Sequence, residues 1–293
     1  MGTFVFILFS LFLQNYVFAV TWPTPRQTFT LEAPKPVDKY LDCNYDRYVP
    51  NVKNGKWGSG EFQLPVFNLA SGATIERCIY SGVDGIHCNG PCKVNDCWNE
   101  DIGEDSISLF GKDSSANFYI NGGGARNGNG KAVQFDGAGT LHVDNFYVSD
   151  DRKQNSYGES YSGLMYNQVP IVPTPKIKHC RTQPQSPGNN YLGIRSCGNC
   201  LQQYSRTMYV NRLTVENLAA GQFIVGVNNN TNFKDKAYLT NIHILGSTAD
   251  QVYPCKVFDG NNNGGNPRVL TQEKTKGDGK YCIFDETDIH INS

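Results

Sequence analysis

Short alternating segments organise this chain, in place of helical stripes. No window of a dozen residues carries apolar positions at i, i+3, i+4 and i+7. Brief runs of alternating character recur instead, bounded by Gly, Asn and Asp. Several share one form: an apolar residue, a polar one, one further residue, then alternating apolars. Ile75-Glu76-Arg77-Cys78, Val94-Asn95-Asp96-Cys97 and Val143-Asp144-Asn145-Phe146 have it, as do Val210-Asn211-Arg212-Leu213 and Leu239-Thr240-Asn241-Ile242. Units begin 19 positions apart at Ile75 and Val94, and 29 apart at Val210 and Leu239. One turn-rich unit per roughly 20–30 residues predicts a solenoid of strands, because a single unit cannot bury its apolar side and stacked units can. The expected fold is all-β, a single-domain parallel β-helix. A β-sandwich is the rival, but it needs hairpin turns about every 8–12 residues, and these units lie further apart.

Two stretches break the rhythm. Residues 5–13 are almost continuously apolar, too short for the roughly 20 residues of a membrane span. Val17-Phe18-Ala19 then places small residues where signal peptidase cuts, although no Lys or Arg precedes the run. Residues 1–19 are therefore expected to be a signal peptide and 20–293 a secreted, extracellular domain; no later run approaches membrane length. Residues 151–190 hold five prolines, serine/tyrosine clusters and Lys176-Ile177-Lys178-His179. They read as a long loop inserted into one unit. No linker suggests a second domain.

Composition narrows the class. Thirty Gly and fourteen Pro in 293 residues exclude collagen-like and low-complexity chains. A formal net charge of −1 argues against nucleic-acid binding by bulk basicity, so a polyanionic partner must be held by a few local cations or a metal. All ten cysteines follow residue 19, and in a secreted chain they imply disulfides. Cys88 and Cys92 flank a tight loop, Cys197 and Cys200 form Cys-Gly-Asn-Cys, and Cys255 and Cys282 bracket a Gly/Asn-rich stretch and are candidates to pair. Cys43, Cys78, Cys97 and Cys180 have no assignable partners from sequence. Asn229-Asn230-Thr231 is a glycosylation sequon.

Candidate chemistry concentrates between residues 84 and 131. With a turn of about 20 residues, Asp84 and the Glu104-Asp105 pair stack on adjacent rungs. Carboxylates brought together repel and favour a divalent cation, and oxygen ligands suit Ca²⁺ better than Zn²⁺. Lys131 follows one rung later. Turn and cap carboxylates, and a solvated lysine, are the bland alternative. His87, between Asp84 and Cys88, could form a dyad with Asp84 but reads better as a packed, hydrogen-bonded histidine.

These residues also carry a resemblance. Gly82-Val83-Asp84-Gly85-Ile86-His87-Cys88-Asn89-Gly90-Pro91-Cys92, then Asn99-Glu100-Asp101-Ile102-Gly103-Glu104-Asp105, resembles the signature block of class III pectate lyases, polysaccharide lyase family 3. Pro65-Val66-Phe67-Asn68-Leu69, Lys131-Ala132-Val133-Gln134, Arg195-Ser196-Cys197-Gly198-Asn199-Cys200 and Gly277-Asp278-Gly279-Lys280-Tyr281-Cys282 continue it in order. The resemblance implies a right-handed parallel β-helix that cleaves polygalacturonate, de-esterified pectin, by Ca²⁺-dependent β-elimination. By position it implies Asp84, Glu104 and Asp105 as calcium ligands, Lys131 as general base and Arg195 as the arginine that holds substrate. Nearby cations would favour a neutral Lys131, so activity is expected to rise into the alkaline range. A monomer is expected, with no nucleic-acid or membrane partner.

The chain departs from the family twice. Phe110 stands where a lysine is usual beyond the Glu-Asp pair; Lys112, two residues on, is a candidate replacement. Leu192 stands where a lysine precedes the arginine; Lys153 is the candidate there, with Lys176 and Lys178 behind it. Two other functional classes therefore stay open: a pectin-binding β-helix that no longer turns over, and a structural solenoid with neither calcium dependence nor pectin affinity. An inverting glycosidase would leave Lys131 idle.

Overall fold

A computed structural model describes residues 20–58, 63–128, 130–153, 192–229, 232–233 and 235–292. The signal-peptide expectation, most of the 151–190 insertion, Cys180 and part of the sequon lie outside the described residues.

Three parallel faces wind about one apolar axis. The first carries Lys35–Val37, Phe67–Leu69, Ile86–Cys88, Ile107–Leu109, Val133–Phe135, Ile194–Ser196, Phe223–Asn228 and Tyr253–Asp259 in that order. The second and third merge into one 15-stranded sheet, because Lys93–Asn99 and Asn117–Arg126 run round the corner between them. Strands pair in parallel except the edge strand Arg268–Glu273, which lies antiparallel to Tyr253–Asp259. This ladder excludes the sandwich; with the right-handed crossover of parallel strands it is a right-handed parallel β-helix. Among the described residues there is no α-helix, only single-turn 3-10 segments, and no helix is long and apolar enough to cross a membrane.

The recurring sequence unit is the corner of each coil. Ile75 pairs with Val94, Val94 with Ile120, Ile120 with Val143, Val143 with Val210, and Val210 with Leu239. Two residues beyond each stands a left-handed residue: Arg77, Asp96, Gly122, Asn145, Arg212 and Asn241, with φ from 49 to 67°. The left-handed turn redirects the chain from the second face to the third, and Asn and Gly tolerate it best. Inside, Phe67, Ile86, Ile107, Val133, Ile194, Val225 and Cys255 stack in register, all buried. Each fully buried aliphatic side chain is worth about 1.5–3 kcal/mol, so the ladder drives the stacking.

Disulfides join Cys88 to Cys92, Cys197 to Cys200 and Cys255 to Cys282, the pairs suggested by spacing. Cys43 pairs with Cys78, and Cys97 is a buried free thiol. The inserted stretch enters between Tyr147–Ser149 and Ile194–Ser196; of it, Asp151–Lys153 form one 3-10 turn.

Candidate active site

The register of the first face assembles the acidic residues. Ile86, Ile107, Val133 and Ile194 pair in that order. Two residues ahead of them stand Asp84, Asp105, Lys131 and Leu192, which therefore form one row across four rungs. Backbone bonds extend the ladder into the turn: Ile86 N donates to Ser106 O at 2.9 Å and Ser106 N to Lys131 O at 2.9 Å. Glycine permits this tightness. A Cβ at Gly130 would lie 1.2 Å from Glu104 O and 3.0 Å from Asp105 Oδ1. At Gly85, with φ +42°, it would lie 2.0 Å from Ser106 O.

Asp84, Glu104 and Asp105 bring carboxylate oxygens within 4.8 Å of one another. Asp84 and Asp105 are buried, Glu104 half-buried. Lys131, itself 3% exposed, places Nζ 3.0 Å from Asp105 Oδ1, 3.1 Å from Oδ2 and 3.7 Å from Glu104 Oε1. Its backbone N also donates to Asp105 Oδ1, at 2.7 Å. Three carboxylates thus face one ammonium. Burial, and then the charge of Asp105, hold Asp84 well above the usual carboxylate range. A buried all-oxygen cluster short of positive charge fits a hard divalent cation such as Ca²⁺.

His87 is tied to this cluster. Its Nε2 lies 2.6 Å from Asp84 Oδ2, and Ser108 Oγ donates to Asp84 Oδ1 at 3.3 Å. Burial pulls His87 down to about 4, against the raising influence of Asp105 and Asp136. His87 is therefore neutral at ordinary pH, and the pair shares one hydrogen bond without a full ion pair. A neutral imidazole in that position fixes the orientation of the Asp84 carboxylate.

His87, Ser108, Gln134 and Arg195 stand opposite one another on successive strands and make the outward row of the first face. Arg195 lies on the rung after that of Lys131, its guanidinium 4.8 Å from the Phe258 ring centre. The two family departures differ in setting. Phe110 is half-buried and meets the His87 ring edge-on at 4.9 Å. Leu192 is 2% exposed within the apolar core. Lys112 sits in an exposed bend beyond the strand Ile107–Leu109. Lys153 closes the 3-10 turn by its backbone, and its side chain lies outside the described residues. Ser108 and Gln134 escaped the sequence reading; each is the buried middle residue of a three-residue strand.

A family model described as pectate lyase matches residues 19–160 and 191–264. A probable pectate lyase F of Aspergillus fumigatus is 29% identical over 259 residues, 87% of this chain and 90% of the relative. A probable pectate lyase F of Aspergillus terreus is 31% identical over 210 residues, 71% of this chain and 69% of the relative. Among solved structures, pectate lyase Pel3 of Pectobacterium carotovorum superposes with a TM-score of 0.61 at 23% identity, covering 93% of this chain and 74% of that one. Pectate lyase PelI of Erwinia chrysanthemi, solved in complex with tetragalacturonic acid, gives 0.57 at 22% identity, covering 92% and 70%.

Proposed function

Since the chain belongs to the pectate lyase family and is a polysaccharide lyase, we propose that it is a secreted, Ca²⁺-dependent enzyme cleaving de-esterified pectin, with Lys131 as general base. The observation that carries this reading is the convergence of Asp84, Glu104 and Asp105 beside Lys131.

The reaction removes H5 of a galacturonate unit; its electron pair forms the C4–C5 double bond, and the C4–O bond breaks to release the glycosidic oxygen. H5 lies α to a carboxylate, so the carbanion that forms carries a second negative charge. Asp84, Glu104 and Asp105 would hold the cation, and its Lewis acidity at the uronate carboxylate would stabilise that charge. Arg195, on the neighbouring rung, would grip the same or the next carboxylate as a bidentate donor. His87 and Ser108 would keep Asp84 oriented. Lys131 must present a neutral amine to H5. In this conformation both oxygens of Asp105 hold its ammonium. Were Asp105 to hold the cation, it would favour the charged lysine less, and the amine would be available to take the proton. Phe110 puts a ring where a lysine is usual in the family, so the grip on polygalacturonate rests on fewer cations.

The test is the ultraviolet absorbance of the unsaturated product when mature protein meets polygalacturonate at alkaline pH. It is run with Ca²⁺, with chelator, and with Lys131→Ala. Product that requires both Ca²⁺ and Lys131 supports the reading. A folded, disulfide-intact protein that binds polygalacturonate and yields no product would shift it to a pectin-binding role.

A further inference from the structure

Beyond Arg195 the outward row of the first face continues. Arg195 pairs with Gly226, and Gly226 with Lys256. Cys255 and Val257 turn into the core on either side, so Lys256 shares the face of Arg195. Two strand spacings separate the two residues, roughly 10 Å along the axis. The intervening residue is Gly226, and the Phe223 and Phe258 rings close over it: a Cβ there would lie 2.8 Å from Phe223 Cε2 and 3.2 Å from both Phe258 Cε2 and Arg195 Cγ.

Lys256 is 8% exposed, yet among the described residues no carboxylate pairs with it. Its one hydrogen bond there is from Nζ to Gly221 O, at 2.8 Å. The ammonium otherwise rests against rings, 4.8 Å from the Tyr253 centre and 5.4 Å from that of Phe223. An ammonium has three N–H donors, so two are left to rings or to a ligand. Burial without a counter-ion costs free energy, and holds the group below the usual lysine range. Aromatic walls around a cation suit a ligand with an anionic group and an apolar sugar face.

We propose that Lys256 is a substrate-binding cation. It receives the carboxylate of a uronate unit further along the chain than the one held by Arg195, on the side away from Asp84 and Asp105. Together with Arg195 it supplies grip to a groove in which Phe110 stands in place of the family's usual lysine. The assignment rests on the reading that this face is the polygalacturonate groove.

The experiment measures affinity for di-, tri-, tetra- and pentagalacturonate by calorimetry in the Lys131→Ala background, where turnover does not intrude. KM on polygalacturonate is measured beside it in the otherwise native protein. Lys256→Met is expected to raise KM about tenfold, with the loss falling on KM more than on kcat, and to abolish the affinity gained from the added unit that reaches Lys256. Lys256→Arg, which keeps the charge, is expected to recover most of both. A Lys256→Met protein with native KM and native length dependence overturns the proposal and leaves Lys256 as packing. Should Lys256→Met not fold, the length series on protein with Lys256 intact decides. A gain at the longer chains upholds the assignment, and equal affinity for the shorter and longer chains overturns it. Full activity in Lys131→Ala, or native substrate affinity in Arg195→Ala, would instead show that the groove itself was misplaced.

Discussion

Lys131 Nζ lies between the two oxygens of Asp105, at 3.0 and 3.1 Å, and its backbone N bonds the nearer oxygen as well. The carboxylate thus holds the lysine at both ends while standing in the cluster with Asp84 and Glu104. One residue is claimed by a candidate base and by a candidate cation site, which couples the state of the lysine to occupancy of the site.

Lys131→Ala is expected to lower kcat by at least about 10²–10⁴-fold with little change in KM, the range for a lost general base. Lys131→Arg should not rescue, since a guanidinium stays protonated. The rate of native protein should climb with pH as the lysine deprotonates. A flat or falling profile above neutrality, read from product absorbance, would rule the role out.

Calcium should stabilise the fold in a pH-dependent way. Asp84 is raised above its ordinary 3.8, so the metal-free native state keeps a proton that the unfolded chain has released. Its contribution is fully present below that ordinary value and is lost as pH rises through the raised value. Metal-free Tm should therefore fall as pH rises above about 4. Saturating Ca²⁺ should flatten the slope and raise Tm, each kcal/mol shifting it by roughly 2–4 °C. Asp84→Asn should flatten it without calcium. Thermal melts across pH, with Ca²⁺ and with chelator, make the comparison.

Restoring the two absent lysines should give opposite results. Phe110 is half-buried at the surface beside His87, so Phe110→Lys should be tolerated and should lower KM on polygalacturonate. Leu192 is sealed in the core, and Leu192→Lys would bury an ammonium there, costing roughly 2–5 kcal/mol. Denaturant melts paired with KM separate the two. Equal stability of both variants would contradict the packing at Leu192.

Cys97 should be inert in the native protein. It is fully buried beside the Cys43–Cys78 bridge, and desolvation pushes its thiol up to about 12. A thiolate-directed alkylating reagent at pH near 8 should label it only on unfolding. Labelling at native conditions at the rate of an exposed thiol would contradict that burial.

Much of this protein follows from local sequence. The left-handed corner needs Asn, Gly or a tolerant residue two places past an apolar one, and that demand repeats through Ile75, Val94, Val143, Val210 and Leu239. Short bridges such as Cys88–Cys92 close loops of a few residues, so spacing reveals them. The Asp84, Glu104, Asp105 and Lys131 set was legible because each rung returns the chain to the same face. What tertiary structure alone decided depends on register across many residues. Cys43 met Cys78 and left Cys97 unpaired because adjacent coils align them so. Leu192 entered the core and Lys112 an exposed bend, which no count of residues from a motif could settle. Lys256 joined the row of Arg195 because two rungs separate them in sequence and only two strand spacings in space. Local turn chemistry is written residue by residue, whereas neighbours along a solenoid are set by the length of each coil, and these coils are unequal.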